Sequence, residues 1–210
     1  MRREHKEVKA LPSGYRQLEY IQTSYNLRQY IDTGLDPYML ETEIKFKECQ
    51  NSIRTGNLQL VGGCWNASDN RYYIASHVSY NSAYEGYLCS ITKTNNPIRL
   101  HEIDLSKTHV VIYNNDNNEV VCDGVVKWII PDITVPALTN KIVLFGGREG
   151  SGMVRRSAWR IHYAKFRRKD LNELVGYFVP VLDSQGVPCM YDYVSRNTFY
   201  NHGTGTFLYA

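Results

Sequence analysis

Apolar and polar residues alternate, or run in short blocks, along most of the chain. The segment 40–46 reads LETEIKF, which places leucine, threonine, isoleucine and phenylalanine on one face of an extended strand and two glutamates and a lysine on the other. Similar blocks, bounded by glycine, asparagine or aspartate, recur at spacings of roughly 10–15 residues. Helical periodicity is nearly absent, and the segment 169–174 allows one helical turn at most. The pattern therefore predicts an all-β protein.

The segment 109–128 predicts two consecutive hairpins. Apolar residues lead into the loop Asn114-Asn115-Asp116-Asn117-Asn118, return along Val120 and Val121, and turn again at Asp123-Gly124. Asparagine, aspartate and glycine tolerate the positive φ that tight hairpin turns require.

The organisation predicted is a charged arm at residues 1–10 followed by one domain at residues 11–210. We find no linker rich in proline, serine or glycine and no internal repeat after residue 11. Many short strands without helices predict a two-sheet antiparallel jelly-roll sandwich. Its inward-facing residues are expected to include the following: Trp65, Ile74, Ile112, Val143, Phe145, Ile161 and Phe178.

Composition excludes several classes of protein. Of the 210 residues, 43% are hydrophobic and 21% charged, which argues against intrinsic disorder. A net charge of +3 is too balanced to indicate a nucleic-acid partner. No apolar run approaches the roughly 20 residues of a membrane helix, and the charged N-terminus lacks the apolar stretch of a signal peptide. We therefore expect neither a nucleic-acid nor a membrane partner.

Cysteine and histidine usage predicts no metal and no cofactor. The 5 cysteines are odd in number and widely spaced, which indicates free thiols in a reducing cytoplasm rather than disulfides. No CxxC pair is present, so a thiolate zinc site is not expected. The 6 histidines are scattered along the chain.

Two segments resemble a known family. Residues 11–34 contain LPSGY, LEYI and QYIDTG, and residues 178–207 contain FVPV, MYD, FYN and GTGTF. They resemble the opening and closing signatures of concanavalin A-like (laminin-G-like) domains, which recur in structural proteins of tailed phages and prophages. The resemblance implies a virion structural protein of a tail, fibre or capsid, made in a bacterial host cytoplasm. It would assemble with other virion proteins and as a homo-oligomer.

Enzymatic activity is not expected. Sugar hydrolases built on this sandwich use acids on alternate residues of one strand, and retaining enzymes need two carboxyl groups about 5–5.5 Å apart. Glu102-Ile103-Asp104 fits best, but Ser106 stands where the pattern requires a third acid. Asp104 and Ser106 are more simply turn residues. The glycines between 147 and 152 have the spacing of a phosphate-binding loop, but Met153-Val154 replaces its Lys-Ser/Thr pair.

Tyrosine, at 17 residues, is unusually frequent, and it supports an alternative function. Aromatic rings beside amide and carboxylate groups suit glycans, so a carbohydrate-binding module for host-receptor recognition is the alternative. Ligand or interface candidates are the following: Trp65, Asn66, Asp69, Asn70, Tyr72, Tyr80, Tyr84, Arg148, Arg155 and Arg156. The basic run 155–169 is typical of a solvated strand edge, and secondarily of a protein contact.

The N-terminal arm is the predicted assembly element. Beyond Met1 it has only two apolar residues, Val8 and Ala10, so it cannot hold itself onto its own domain by burial. We expect it to dock on a neighbouring subunit through its cations, which are Arg2, Arg3, Lys6 and Lys9.

Overall fold

In a computed structural model of the chain, the described residues are 10–24, 27–37, 39–49, 58–65, 71–72, 77–79, 87–90, 98–102, 104, 106–113, 119–129, 140–149, 152–154 and 158–210. These segments contain strands and turns but no α-helix, so the all-β prediction is confirmed for them. It follows that none of the described segments holds an apolar helix able to cross a membrane.

Among the described residues, the first half of the chain contributes ten strands. They are β1 (Arg16–Gln17), β2 (Ile21–Gln22), β3 (Ile31–Asp32), β4 (Leu40–Glu48), β5 (Leu58–Leu60), β6 (Gly62–Trp65), β7 (Arg71–Tyr72), β8 (His77–Ser79), β9 (Tyr87–Ser90) and β10 (Ile98–Glu102). The second half contributes β11 (Thr108–Tyr113), β12 (Glu119–Cys122), β13 (Val125–Ile129), β14 (Val143–Leu144), β15 (Gly147–Glu149), β16 (Gly152–Val154), β17 (Trp159–Arg168), β18 (Glu173–Leu182), β19 (Pro188–Asp192), β20 (Thr198–Phe199) and β21 (Leu208–Tyr209).

Three hydrogen-bonded sheets contain these strands. The largest has 11 strands in the order β13-β12-β11-β4-β17-β18-β19-β20, with β1, β2 and β21 paired alongside. A 6-stranded sheet runs β16-β15-β6-β14-β3 with β7 beside β6, and a 4-stranded sheet runs β10-β9-β8-β5. Within the described segments the pairing is antiparallel except between β15 and β6, which are parallel.

The main core lies between the 11-stranded and the 6-stranded sheets. The predicted alternation of β4 is confirmed, because its leucine, threonine, isoleucine and phenylalanine side chains are buried while the charged ones between them are half-buried. Ile31 and Leu144 enter the same cluster from the 6-stranded sheet. Aromatic pairs fill its centre, with ring centroids 5.4 Å apart for Phe46 and Trp159. The two sheets thus form the layers of a sandwich.

The core predictions are confirmed at four positions and wrong at one. Val143, Phe145, Ile161 and Phe178 are each at most 1% exposed. Ile112 is half-buried and pairs with Glu43 on the opposite face of the large sheet. Because the run VVIY is apolar throughout, the sequence does not show which residues of β11 face inward. In the structure these are the two on either side of Ile112. The side chains of Trp65 and Ile74 lie outside the described residues.

The predicted turn between β12 and β13 is confirmed. Asp123 has φ 51° and Gly124 has φ 79°, the two positive values of a type I′ hairpin. This turn folds Asp123 back beside β11, where its amide donates to the Val110 carbonyl over 2.9 Å.

The C-terminal segment packs along residues 21–30. Ile21 of β2 pairs with Tyr209 of β21. The segment 202–204 forms backbone hydrogen bonds with residues 28–30. A Cβ on Gly203 would lie 1.2 Å from the carbonyl oxygen of Arg28. The closing GTGTF motif therefore contains a glycine where the tail touches another backbone.

The described cysteines are thiols. Cys49, Cys122 and Cys189 are buried and outside any disulfide, as predicted. Burial raises the pKa of Cys49 to about 11 and that of Cys189 to about 12. The side chains of Cys64 and Cys89 lie outside the described residues.

Candidate functional site

Most of the predicted site residues lie outside the described residues. Those that lie outside the described residues are Asn66, Asp69, Asn70, Tyr80, Tyr84, Arg155 and Arg156, together with Arg2, Arg3, Lys6 and Lys9 of the arm. These assignments stay predictions.

Three predicted residues lie on neighbouring strands of the 6-stranded sheet. Trp65 of β6 is the backbone partner of Glu149 in β15 and of Arg71 in β7. Arg148 and Tyr72 lie next to these partners along their strands. The backbones of Trp65, Tyr72 and Arg148 therefore lie on neighbouring strands. Their side chains lie outside the described residues, and their role in a site stays a prediction.

The basic run does not lie on a strand edge. Its core element is β17, which pairs with β4 on one side and with β18 on the other. The prediction of a solvated edge is wrong for this strand because both of its edges are paired. Arg160, Lys165 and Arg167 are in register with half-buried charged residues of β4, on the outer face of the large sheet, the face away from the main core.

Five tyrosines form a connected surface on that outer face, which we call the tyrosine surface: Tyr15, Tyr163, Tyr177, Tyr191 and Tyr193. Ring centroids are 6.1 Å apart for Tyr15 and Tyr191, and 5.4 Å for Tyr191 and Tyr193. The row continues with 5.5 Å from Tyr193 to Tyr177 and 6.3 Å from Tyr177 to Tyr163. Tyr191 is 4% exposed, and the other four are half-buried.

An apolar layer supports these rings. Val179, Val181 and Cys189 are at most 2% exposed and pack with the tyrosines in a cluster of their own. On β18, Val179 and Val181 alternate with core-facing residues, so this strand is apolar on both faces. The support holds the rings in place while their outer edges face solvent.

A β-bulge decides which face Tyr163 occupies. Between Ile161 and Tyr163 the pairing of β17 with β4 shifts register. Strict alternation from Ile161 would put Tyr163 and Lys165 in the core. The extra residue, His162, reverses this, so that Ala164 is buried and Lys165 lies outside.

A charged pair lies at one end of the tyrosine surface. The Lys165 Nζ is 4.7 Å from the ring centroid of Tyr163 and 5.3 Å from that of Tyr177. It also donates to Glu43 Oε1 over 2.8 Å, and both side chains keep part of their surface in solvent, 33% for Lys165 and 25% for Glu43. The site therefore combines aromatic rings, an ammonium donor and a carboxylate acceptor.

Two phenol groups of this surface, those of Tyr163 and Tyr193, have raised pKa values. Burial, followed by a hydrogen bond to Glu43, raises the pKa of Tyr163 above its usual range. Burial also raises the pKa of Tyr193, with smaller contributions from Tyr177 and Tyr191. Phenols that stay protonated bind hydroxyl groups well and are poor nucleophiles.

A buried carboxylate holds the turn that carries Tyr193. Asp192 is 2% exposed, and its Oδ1 accepts from the amides of Tyr177 over 2.7 Å and Val194 over 3.1 Å. Its Oδ2 accepts from the amide of Ser195 over 2.9 Å. The amide of Tyr193 donates in turn to the Tyr177 carbonyl over 2.9 Å. Asp192 thus positions two of the five tyrosines.

Asp104 is a turn residue, as predicted. Its Oδ1 accepts from the hydroxyl of Ser106 over 2.6 Å and from the amide of Ser106 over 3.1 Å. The hydrogen bond from that hydroxyl is the main reason why its pKa falls to about 2. A carboxyl group that stays ionised near neutral pH is a poor general acid, so Asp104 does not suit the general-acid role.

A second cluster lies where β11 meets the type I′ turn. His109 Nδ1 is 2.8 Å from Asp123 Oδ2, and the Cys122 sulfur is 3.8 Å from the same oxygen. Within the described part of the chain, these three residues are the group with the donor atoms to hold a metal ion.

The sequence contained a signal for the strand that supports the tyrosine surface. The segment 175–182 is apolar at odd and even positions alike, which indicates a strand covered on both faces. The predictions concentrated on the tyrosines of 72–87 and passed over those of 163–193. His109 and Asp123 are 14 residues apart, so only the hairpin register could reveal their contact.

Comparison with known proteins gives a likeness of fold. No family model and no curated protein matches the chain. A solved structure from Bacteroides ovatus ATCC 8483, described as a "putative carbohydrate binding protein", is similar with a TM-score of 0.54 and 10% identity. The match covers 93% of this chain and 60% of that one, so this chain spans under two thirds of the neighbour's length. At this identity the likeness concerns the fold alone.

Proposed function

We propose that this protein binds carbohydrate through the tyrosine surface. The observation that carries the proposal is the row of supported, partly exposed tyrosine rings with Lys165 and Glu43 at one end. Sugar rings present apolar C–H faces and a rim of hydroxyl groups. Aromatic rings contact the former, and phenol, ammonium and carboxylate groups pair with the latter.

The likeness of fold supports this proposal over the other interpretations of the sequence. The similar structure is itself described as a "putative carbohydrate binding protein". The finer architecture implied by the sequence resemblance, a concanavalin A-like jelly roll, belongs to the same proposal. Because the row of rings spans three strands and a turn, we propose a glycan chain rather than a single sugar as the ligand.

Binding without catalysis is part of the proposal. Two described acids on the outer face are engaged by cations, Glu43 by Lys165 and Glu41 by Arg167 at 4.0 Å. Incorporation into a virion, after synthesis in a bacterial cytoplasm, stays a prediction from the resemblance. It depends on the arm 1–10, of which only Ala10 is among the described residues.

The tyrosine surface is tested by replacing its central ring. Tyr177 contacts Tyr163 on one side and Tyr193 on the other, so Tyr177→Ala interrupts the row. We expect the variant to bind the best ligand of a glycan array roughly tenfold more weakly, measured by calorimetry, because one stacking contact is lost. Tyr177→Phe should keep most of the affinity.

Tyr209→Ala is the matched control. Tyr209 is 46% exposed and lies on β21, away from the row, so its loss should leave affinity unchanged. Circular dichroism and thermal melting would show that each variant folds. Wild-type protein that binds no glycan on the array, or equal affinity of wild type and Tyr177→Ala, would contradict the proposal.

A further inference from the structure

We propose that His109, Cys122 and Asp123 form a binding site for one divalent transition-metal ion, with Zn²⁺ as the best fit. The site lies at the base of the β12–β13 turn and is separate from the tyrosine surface. Its donor atoms are His109 Nδ1, Cys122 Sγ and Asp123 Oδ2, all within 4.8 Å of one another.

The hydrogen bonds of His109 leave one ring nitrogen for a cation. Its side chain is 8% exposed, and its Nε2 lies 2.8 Å from the Asp104 carbonyl oxygen. A carbonyl only accepts, so Nε2 carries a proton. Nδ1 then faces Asp123 Oδ2 at 2.8 Å, and that contact is favourable only with a positive charge between the two atoms. The charge is a proton or a metal ion.

Cys122 is what favours the metal ion. A proton shared by His109 and Asp123 would involve only those two residues. The sulfur of Cys122, which is 2% exposed, lies 3.8 Å from the same carboxylate oxygen and supplies a third ligand atom. Imidazole, thiolate and carboxylate together are the ligand set of zinc. Calcium and magnesium take oxygen ligands and would reject the thiolate.

The distances fit a tetrahedral ion after a small adjustment. With metal–nitrogen and metal–oxygen bonds of about 2.1 Å, a tetrahedral ion separates those two ligand atoms by roughly 3.4 Å. The Nδ1–Oδ2 distance would therefore have to open from 2.8 Å. The Asp123 side chain is 49% exposed, so it can move outward, and the open side admits the ion and a water ligand.

Neighbouring groups hold the ligands as metal sites require. A ligating histidine usually donates its other ring N–H to a carbonyl or carboxylate, and Asp104 supplies that carbonyl. Asp123 Oδ1 accepts from the Val110 amide over 2.8 Å, which leaves Oδ2 for the ion. Burial alone would raise the pKa of Asp123, but hydrogen bonds from Val110 and His109 outweigh it and lower that pKa.

The Cys122 thiol would give up its proton to solvent and bind the ion as thiolate, and no redox step occurs.

Titration of metal-free full-length protein with Co²⁺ and then Zn²⁺ tests the site. We expect one Co²⁺ per chain, a thiolate-to-cobalt absorption band, and bleaching of the band by Zn²⁺. Cys122→Ser should abolish the band, and Cys189→Ser, which changes a buried cysteine elsewhere, should preserve it.

Asp123→Asn keeps the test decisive if Cys122→Ser misfolds. Its side chain lies on the exposed turn and retains an oxygen for the Val110 amide, so the variant should fold. We expect it to bind Co²⁺ at least tenfold more weakly, because loss of a ligand's hydrogen-bonding partner alone typically lowers metal affinity 10–100-fold. No thiolate band in the wild type, or a band that persists in Cys122→Ser, would overturn the proposal. In those cases the His109–Asp123 contact is a protonated ion pair only.

Discussion

Gly203→Ala is expected to destabilise the protein by about 3 kcal/mol. Its Cβ would lie 1.2 Å from the carbonyl oxygen of Arg28 and 2.3 Å from the carbonyl carbon. Both are backbone atoms, so no side-chain rotation relieves the clash. The tail must move away, which breaks the hydrogen bonds of the segment 202–204 with residues 28–30.

The loss of stability should extend to the main core, because the same tail contains Phe207. That ring is 2% exposed and lies 5.3 Å from the ring of Phe145. Urea denaturation measures the free energy of unfolding, and limited proteolysis after residue 200 reports whether the tail detaches.

Gly186→Ala separates the close approach from backbone strain. Gly186 has φ 78°, and a Cβ added there would meet nothing within 4 Å, so the variant carries only the cost of a left-handed residue, about 1 kcal/mol. Gly203 has the reverse combination, a close approach without a positive φ. If the two alanine variants unfold with equal free energies, the close approach is not what requires glycine at 203.

Asp192→Ala is expected to lower the free energy of unfolding by about 3 kcal/mol. The change removes the acceptor of three backbone amides, those of Tyr177, Val194 and Ser195. Val194 and Ser195 are exposed residues whose amides can turn to water, but the Tyr177 amide lies within the β18–β19 region and loses its partner. Chemical denaturation measures the effect.

Asp192→Asn is the graded control. The remaining Oδ1 can still accept from Tyr177 and Val194, while the new amide group faces the Ser195 N–H, so we expect a loss near 1 kcal/mol. Because Asp192 positions Tyr177 and Tyr193, glycan affinity should fall in the same order as stability. Wild-type stability in Asp192→Ala would show that water replaces all three bonds.

Much of the fold could be predicted from the sequence because the deciding interactions are local. Alternation of period two placed β4 with the correct side inward, and Asp123-Gly124 marked the type I′ turn. Each of these signals rests on residues within a few positions of one another.

The tertiary structure alone decided where the candidate sites lie. The bulge at His162 is set by the pairing of β17 with β4, and it moves Tyr163 and Lys165 to the outer face against the local alternation. The tyrosine surface gathers rings from residues 15 to 193. Likewise, His109 meets Asp123 only in the observed register of β11 and β12. Local periodicity fixes which residues form a strand, but strand register is a non-local choice made by the packing of both faces.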